Sequence, residues 1–269
     1  MIILGCITKY KPEDIKPYVE SIEQSGFKGR KVMMVYDIPQ ETIDYLKSKE
    51  WELYQNELQQ HIILQRFRDI YKLLEQFPKD ETIIWTDVKD VIFQTDPTKW
   101  IEKNMNCSIM AFSESITMKD DPWACVNSGT SFPMEWEWLQ NETSYCAGTI
   151  VGDVEFIRDL FINIYRWSMT TSNPDQLSDQ AAYNVLINLY PFKDCVQKVK
   201  QEEGFVTQLG TVLVKKDEFK NVLLEPTPIV SSDYIVSNQN GEVFPLIHQY
   251  DRIPAVSYTH LTLPTKRIV

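Results

Sequence analysis

Hydrophobic positions along the first hundred residues alternate between short continuous runs and runs at helical spacing. Ile2 to Thr8 is a continuous apolar run, and it ends in the polar trio Thr8-Lys9-Tyr10. From Pro12 to Gly26 the apolar residues Ile15, Val19 and Ile22 fall on one face, and Gly26 stands where a helix would stop. Lys31 to Tyr36 is a second continuous run, Gln40 to Lys49 a second helical stretch, and Trp51 to Tyr54 a short extended one. This β-α-β-α-β opening predicts a parallel sheet with right-handed crossovers. His61 to Phe77 then reads as a long helix with Ile63, Phe67, Ile70, Leu74 and Phe77 as its buried stripe. At about 100° per residue Arg66 flanks that stripe and Arg68 points away from it. Arg66 therefore either meets a specific anion or covers the core with its stem. Asp69 or Asp87 could be its partner in place of a ligand phosphate.

Thr82 to Pro97 is the stretch on which the chemistry turns. Two apolar runs, Ile83-Ile84-Trp85 and Val91-Ile92-Phe93, read as buried strands of an α/β sheet, with Asp87 and Asp90 between them and the turn pair Asp96-Pro97 after them. Ligands of open α/β sheets sit at the carboxyl ends of strands, where Asp87 falls. Two carboxylates converging there suit Mg²⁺ or Mn²⁺, and such an ion suits a diphosphate. The same residues could simply cap a short helical turn.

Further along, Ser108 to Phe112 is another strand, and Ser113 to Trp138 reads as irregular, rich in Trp, Asp and Pro, including Asp120-Asp121-Pro122-Trp123. Aromatic faces suit sugar rings; tryptophans also pack a loop onto its domain, and both readings stay open. Tyr145 to Gly152 is extended, with Gly148 and Gly152 where backbone could approach a ligand closely. Asp153 to Met169 continues as an amphipathic helix. Ser178-Asp179-Gln180 begins another, with Ser178 as N-cap and Asp179 as an acid in the first turn. Val206 to Lys215 and Asn221 to Val230 read as strands or hairpins, and Phe244 to Arg252 contains an apolar run ending at His248.

Composition narrows the class. With 269 residues, 43% hydrophobic and 12% aromatic, the chain is long enough for a sizeable core and belongs with globular enzymes. A net charge of −11 argues against nucleic acid or an anionic membrane as partner. Five scattered cysteines fit reduced thiols and a cytoplasmic location better than disulfides or a zinc site. No apolar run approaches the ~20 residues of a membrane span, and neither a signal peptide nor an anchor is expected. Val256 to Thr265, VSYTHLTLPT, looks like a translated sequencing-library adapter read through into Lys266-Arg267. One domain over residues 1–255 and a non-native tail over 256–269 are the expectation, with the native C-terminus missing.

Four segments in order, WTDVKDVIFQTDP, AGTIVG, SDQAAYN and HQYDR, carry a resemblance. From about Ile2 to Arg252 the chain resembles a metal-dependent glycosyltransferase of the GT-A fold. The resemblance implies a single Rossmann-like α/β domain with a mainly parallel central sheet flanked by helices. It implies a divalent ion, Mn²⁺ or Mg²⁺, bridging the diphosphate of a nucleotide-sugar donor, and a glycan or other hydroxyl as acceptor. Asp90 corresponds to the second acid of the family's D-x-D motif. Position 88 is Val, so the first acid is displaced to Asp87, which is left between direct ligand, water-mediated ligand and ribose contact. His248 corresponds to the late histidine that completes the coordination. Thr8 and Tyr10 would lie near the nucleotide, and Gly148, Asp179 and Gln180 would face the reacting sugar and acceptor. In an inverting enzyme Asp179 is the candidate base; in a retaining one it positions the sugar. A sugar nucleotidyltransferase and a catalytically silent sugar- or nucleotide-binding module are the alternatives. The first would want a glycine-rich loop after the first strand, which Thr8 to Pro12 does not offer.

Overall fold

The structure, a computed structural model, describes residues 1–171 and 178–253. The opening alternation is as the hydrophobic pattern predicts: β1 (Ile2–Thr8), α1 (Pro12–Ser25), β2 (Arg30–Tyr36), α2 (Gln40–Ser48) and β3 (Glu52–Asn56). Pro12 occupies the first turn of α1, Asp14 accepts from the Lys11 N–H at 2.9 Å, and Gly26 ends the helix at φ 86°. Next come α3 (Ile62–Leu73), β4 (Thr82–Thr86), β5 (Val91–Phe93), α4 (Thr98–Asn104) and β6 (Ile109–Thr117). Then follow α5 (Pro122–Ser131), α6 (Pro133–Leu139), β7 (Thr143–Asp153), α7 (Val154–Ser168) and α8 (Asp179–Leu186). The last part holds β8 (Val196–Val199), β9 (Val206–Gln208), α9 (Lys216–Phe219), β10 (Ile229–Val230), β11 (Val236–Ser237) and β12 (Leu246–His248).

Seven strands form one sheet in the order β3-β2-β1-β4-β7-β6-β8. Only β7 in it runs antiparallel to its neighbours, so the sheet is mainly parallel. Alternate residues of each strand feed two cores. Ile2, Leu4, Ile83 and Trp85 pack with α3, α7 and α8 on one face. Ile3, Ile7 and Ile84 pack with Ile15, Val19, Ile22 and Leu46 of α1 and α2 on the other. The helices thus cover both faces, which is why the central strands read as continuous apolar runs.

Several expectations are corrected. The second run of the Asp stretch, Val91–Phe93, does not join the main sheet; it pairs with β12 in a small sheet ordered β5-β12-β9. The long helix stops at Leu73 and tightens into a 3₁₀ turn over Leu74–Gln76. Ser113 to Trp138 is not irregular: β6 runs on to Thr117, and α5 and α6 follow. Register shifts after Ala111 and a left-handed Ser115 (φ 61°) break the alternation that would have marked the strand. Asp121, which accepts from the Trp123 N–H at 3.1 Å, and Pro122 at the first helical position start α5. Val206 to Lys215 is extended only to Gln208 and then winds through a π-helical turn, Gly210–Val214. Of Asn221 to Val230, only Ile229–Val230 is strand. Ser178 stands at the N-cap of α8, but its hydroxyl makes no capping hydrogen bond. The 256–269 tail lies outside the described residues.

Candidate functional site

The chain lays β2 and β3 on one side of β1, then returns through α3 to place β4 on the other side. Growth of the sheet therefore reverses between β1 and β4, and the carboxyl ends of these two strands open a crevice. A cleft of about 640 Å³ lies there. Thr8 and Tyr10 line it just after β1, and Asp87 lines it just after β4.

Pairing geometry brings three ligand-type side chains together. The Asp87 N–H donates to the Gly148 carbonyl at 2.8 Å, extending the β4–β7 ladder by one bond and fixing the carboxylate at the strand end. In the small sheet His248 stands beside Val91 on one side and Gln208 on the other. The next residue, Gln249, donates its N–H to the Asp90 carbonyl at 2.6 Å. A histidine from the far end of the chain thus lands against the acid pair. Its Nε2 is 3.4 Å from Asp90 Oδ1 and 3.8 Å from Asp87 Oδ2. Asp87, Asp90 and His248 each offer one ligand atom, and these atoms lie within 4.8 Å of one another.

Three observations test whether a divalent ion fits. The set of two carboxylates and one imidazole is the kind that Mn²⁺ takes, and Mg²⁺ tolerates. His248 Nδ1 lies 2.7 Å from Gln208 Oε1, which orients the ring so that Nε2 faces the acids. Gly148 leaves the space they need: a Cβ there would lie 2.5 Å from Asp87 Oδ2 and 2.8 Å from His248 Cε1. The residues fit the ion. Burial opposes a charge on His248, but Asp90 and Cys146 together outweigh it and lift the imidazole well above the ordinary histidine value. Burial likewise opposes charge on Asp90, and His248 and Arg252 overcome it, holding that carboxyl below its ordinary value.

Arg66 organises the adjoining wall. Its guanidinium donates to Asp87 Oδ1 at 2.6 Å and to Asp179 Oδ2 at 2.9 Å, over the rings of Phe67 and Trp85. The side chain is 12% exposed, so the pair of bonds forms in a poorly hydrated place. Asp87 and Asp179, not Asp69, are its partners; Asp69 pairs with Arg68. Asp179 opens α8, which Asn184 clamps to β7 by two hydrogen bonds with the Tyr145 backbone, 2.9 and 2.8 Å. Burial raises the Asp179 pKa against the pull of Arg66. Gln180 donates to Glu114 Oε2 at 3.0 Å, and Ser144 donates to the same oxygen at 2.6 Å.

Every site residue expected from the sequence, Thr8, Tyr10, Arg66, Asp87, Asp90, Gly148, Asp179, Gln180 and His248, lines this one cleft. Gly152 does not: its missing side chain makes room for the Ser108 carbonyl and Ile157, a packing role. Sequence reasoning missed Glu114, Gln208 and the cationic lining residues Lys89, Lys215 and Arg252. Glu114 lies in the part of β6 that the sequence reads as irregular, so nothing local marked it as a buried strand acid.

The mainly parallel sheet with helices on both faces and a cleft at the β1–β4 switch is the GT-A glycosyltransferase fold. Among solved structures the chain is similar to the galactosyltransferase LgtC in complex with donor and acceptor sugar analogs, with 13% identity and a TM-score of 0.58. That match covers 100% of this chain and 98% of the other. It is also similar to the apo form of the glycosyltransferase GlyE of Streptococcus pneumoniae TIGR4, with 13% identity and a TM-score of 0.59, covering 97% of this chain and 60% of that one. No protein-family model and no curated protein matches the sequence. At these identities the likeness is one of fold.

Proposed function

We propose that the protein transfers a sugar from a nucleotide-diphosphate donor to the hydroxyl of a glycan or other acceptor, with Mn²⁺ or Mg²⁺ held by Asp87, Asp90 and His248. The observation that carries this is the convergence of those three ligand atoms within 4.8 Å at the switch point of a GT-A sheet. The ion, when bound, offsets the negative charge that grows on the departing diphosphate. Asp87 would hold the ion through Oδ2, since Oδ1 accepts from Arg66. Thr8 and Tyr10 hold the nucleotide; the Thr8 hydroxyl oxygen is buried with no protein partner, which leaves it available to a ligand. Arg66 ties the ion's wall to the sugar's wall by holding Asp87 and Asp179 together. Asp179, with Oδ2 held by the Arg66 guanidinium, positions the donor sugar. Gln180 faces the reacting centre beside it. The similarity to LgtC and GlyE, both named as glycosyltransferases, supports the same reaction class.

No helix among the described residues is long and apolar enough to cross a membrane. The five cysteines are all unpaired, which supports a reducing, cytoplasmic setting. Residues up to Ala255 make up the functional unit in this account, and 256–269 are an adapter-encoded addition.

A thermal-shift screen of nucleoside diphosphates, with and without Mn²⁺, tests the proposal. Ligand at about a hundred times its Kd stabilises by ~2.7 kcal/mol, which moves Tm by several degrees in a protein of this size. At least one diphosphate is expected to do so with Mn²⁺ and to fail with EDTA or in Asp90→Asn. No shift with any of them, or a shift indifferent to the metal, would overturn the reading.

A further inference from the structure

The cleft is also lined by Trp123, Asp121 and Glu114, which the donor-side chemistry does not use. Trp123 is 44% exposed, whereas Trp85 and Trp51 are buried at 0% and 4%. Its place is rigid. It is the second residue of α5, after Pro122, with its N–H held by Asp121 Oδ1 at 3.1 Å. Ala124 and Ser128 of the same helix are buried. An indole held open to water inside a cleft presents a broad apolar face with negative π-density.

Two buried acids and a lysine line the cleft with it, and Lys215 Nζ lies 3.8 Å from Asp121 Oδ1. Glu114 is 5% exposed and Asp121 6%. Ser144 and Gln180 both donate to Oε2 of Glu114, which fixes the carboxyl. A pyranose ring matches this mixture: one face of C–H bonds for the indole and an edge of hydroxyl donors for the acids. An apolar chain would leave the acids without hydrogen bonds. The surface is also joined to the transfer point. Gln180 links Glu114 to Asp179, and Asp179 is linked through Arg66 to Asp87.

We propose that Trp123, Glu114 and Asp121 form a subsite for a pyranose ring of the acceptor, so that the acceptor is a glycan and not a simple alcohol or peptide. The proposal rests on the transferase reading above. It deepens that reading by naming the acceptor class and the platform residue. No covalent step is assigned to these residues; they are positioning residues for the incoming hydroxyl.

Saturation-transfer NMR tests it on the full chain loaded with Mg²⁺ and the nucleoside diphosphate that stabilises it most. The probes are the methyl glycosides of glucose, galactose, mannose and N-acetylglucosamine, with maltose, cellobiose and lactose. Hexane-1,6-diol and a serine-containing hexapeptide serve as controls. At least one saccharide should show transfer to its ring protons, and the controls none. Trp123→Ala should weaken that saccharide about tenfold, while Trp123→Phe, which keeps an aromatic face, should restore most of the loss. The Mg²⁺–nucleotide thermal shift should stay as in the wild type for both variants. Absence of any saccharide signal, or equal binding by Trp123→Ala, overturns the subsite while the transferase reading stands. Absence of a nucleotide shift in the wild type overturns both.

Discussion

Gly148→Ala measures how tightly the candidate metal site is drawn. The added Cβ would lie 2.5 Å from Asp87 Oδ2, 3.0 Å from Asp87 Cγ and 2.8 Å from His248 Cε1. Ordinary contact begins at 3.4 Å, so the carboxylate oxygen must retreat by about 0.9 Å and the ring by about 0.6 Å. Neither can retreat freely. Asp87 is held by Arg66 at 2.6 Å, and His248 is 3% exposed with Nδ1 held by Gln208 at 2.7 Å. Ligand atoms tolerate displacements of about 0.2 Å, so the substitution should weaken Mn²⁺ binding by about 10- to 100-fold. Overpacking of this kind costs about 1–3 kcal/mol, a fall in Tm of roughly 2–12 °C at this size. Isothermal titration with Mn²⁺ and scanning calorimetry of the metal-free protein read the two effects separately. Wild-type Mn²⁺ affinity in the alanine variant would show that Asp87 and His248 do not share an ion across this glycine.

The remaining predictions follow from other parts of the structure. The raised His248 pKa means that the metal-free ring holds a proton near neutrality which Mn²⁺ must displace. Apparent Mn²⁺ affinity should therefore rise with pH above 6.5, and titrations in buffers of different ionisation enthalpy should show proton release; no release contradicts ligation by Nε2. The same shift makes the His248 contribution to metal-free stability complete below the unfolded value near 6.5, and that contribution is lost as pH rises through the folded value. Arg66→Ala leaves Asp87 and Asp179 without their counter-charge and should cost about 3–5 kcal/mol at neutral pH. Burial already raises the Asp179 carboxyl and loss of Arg66 raises it further, so the penalty should shrink as pH falls; a penalty independent of pH would contradict the ion-pair account. Phe161 is fully buried against Phe67 and Trp85, with ring centroids 5.0 and 5.4 Å away, so Phe161→Ala should lose about 3–5 kcal/mol in urea unfolding. Deleting residues 256–269 should leave Tm unchanged, and a clear loss would mean the tail packs on the protein.

What the sequence discloses depends on whether a signal is local. The opening β-α alternation and the acid pair after β4 are each written within a few residues, and the structure places them as the pattern predicts; of the α3 stripe, Phe67 and Ile70 are buried on the helix, whereas Ile63 is half-buried in the cleft wall and Leu74 and Phe77 lie past the helix end. Of the two partners of Arg66, Asp87 is legible and Asp179 is not, because Asp179 reaches it only through the return of β7 and the clamp by Asn184. The run of β5 reads as a buried strand, and which sheet it joins is not legible, because a buried three-residue run looks alike in either sheet and its pairing with β12 is set by distant residues. The 113–138 segment misled for the opposite reason. Its bulges and its left-handed Ser115 erase the strand's alternation, while the Asp121-Pro122 helix start was present and outweighed by the density of Trp and Pro. Glu114 and Gln208 act through neighbours far along the chain, and no local pattern marks them.

Release of nucleoside diphosphate from nucleotide sugars is the measurement closest to the central claim. Uridine, guanosine, cytidine and thymidine diphosphate sugars would be incubated with the protein and Mn²⁺, with EDTA controls. Asp90→Asn, His248→Ala and the double variant would be assayed alongside. At least one donor should be slowly hydrolysed in a metal-dependent way, and each single variant should lose that turnover. The double variant should lose little more, because both residues serve one ion. If no donor is consumed, if EDTA and Asp90→Asn leave turnover intact, or if the two losses add, the assignment of a metal-dependent sugar transferase built on Asp87, Asp90 and His248 is wrong.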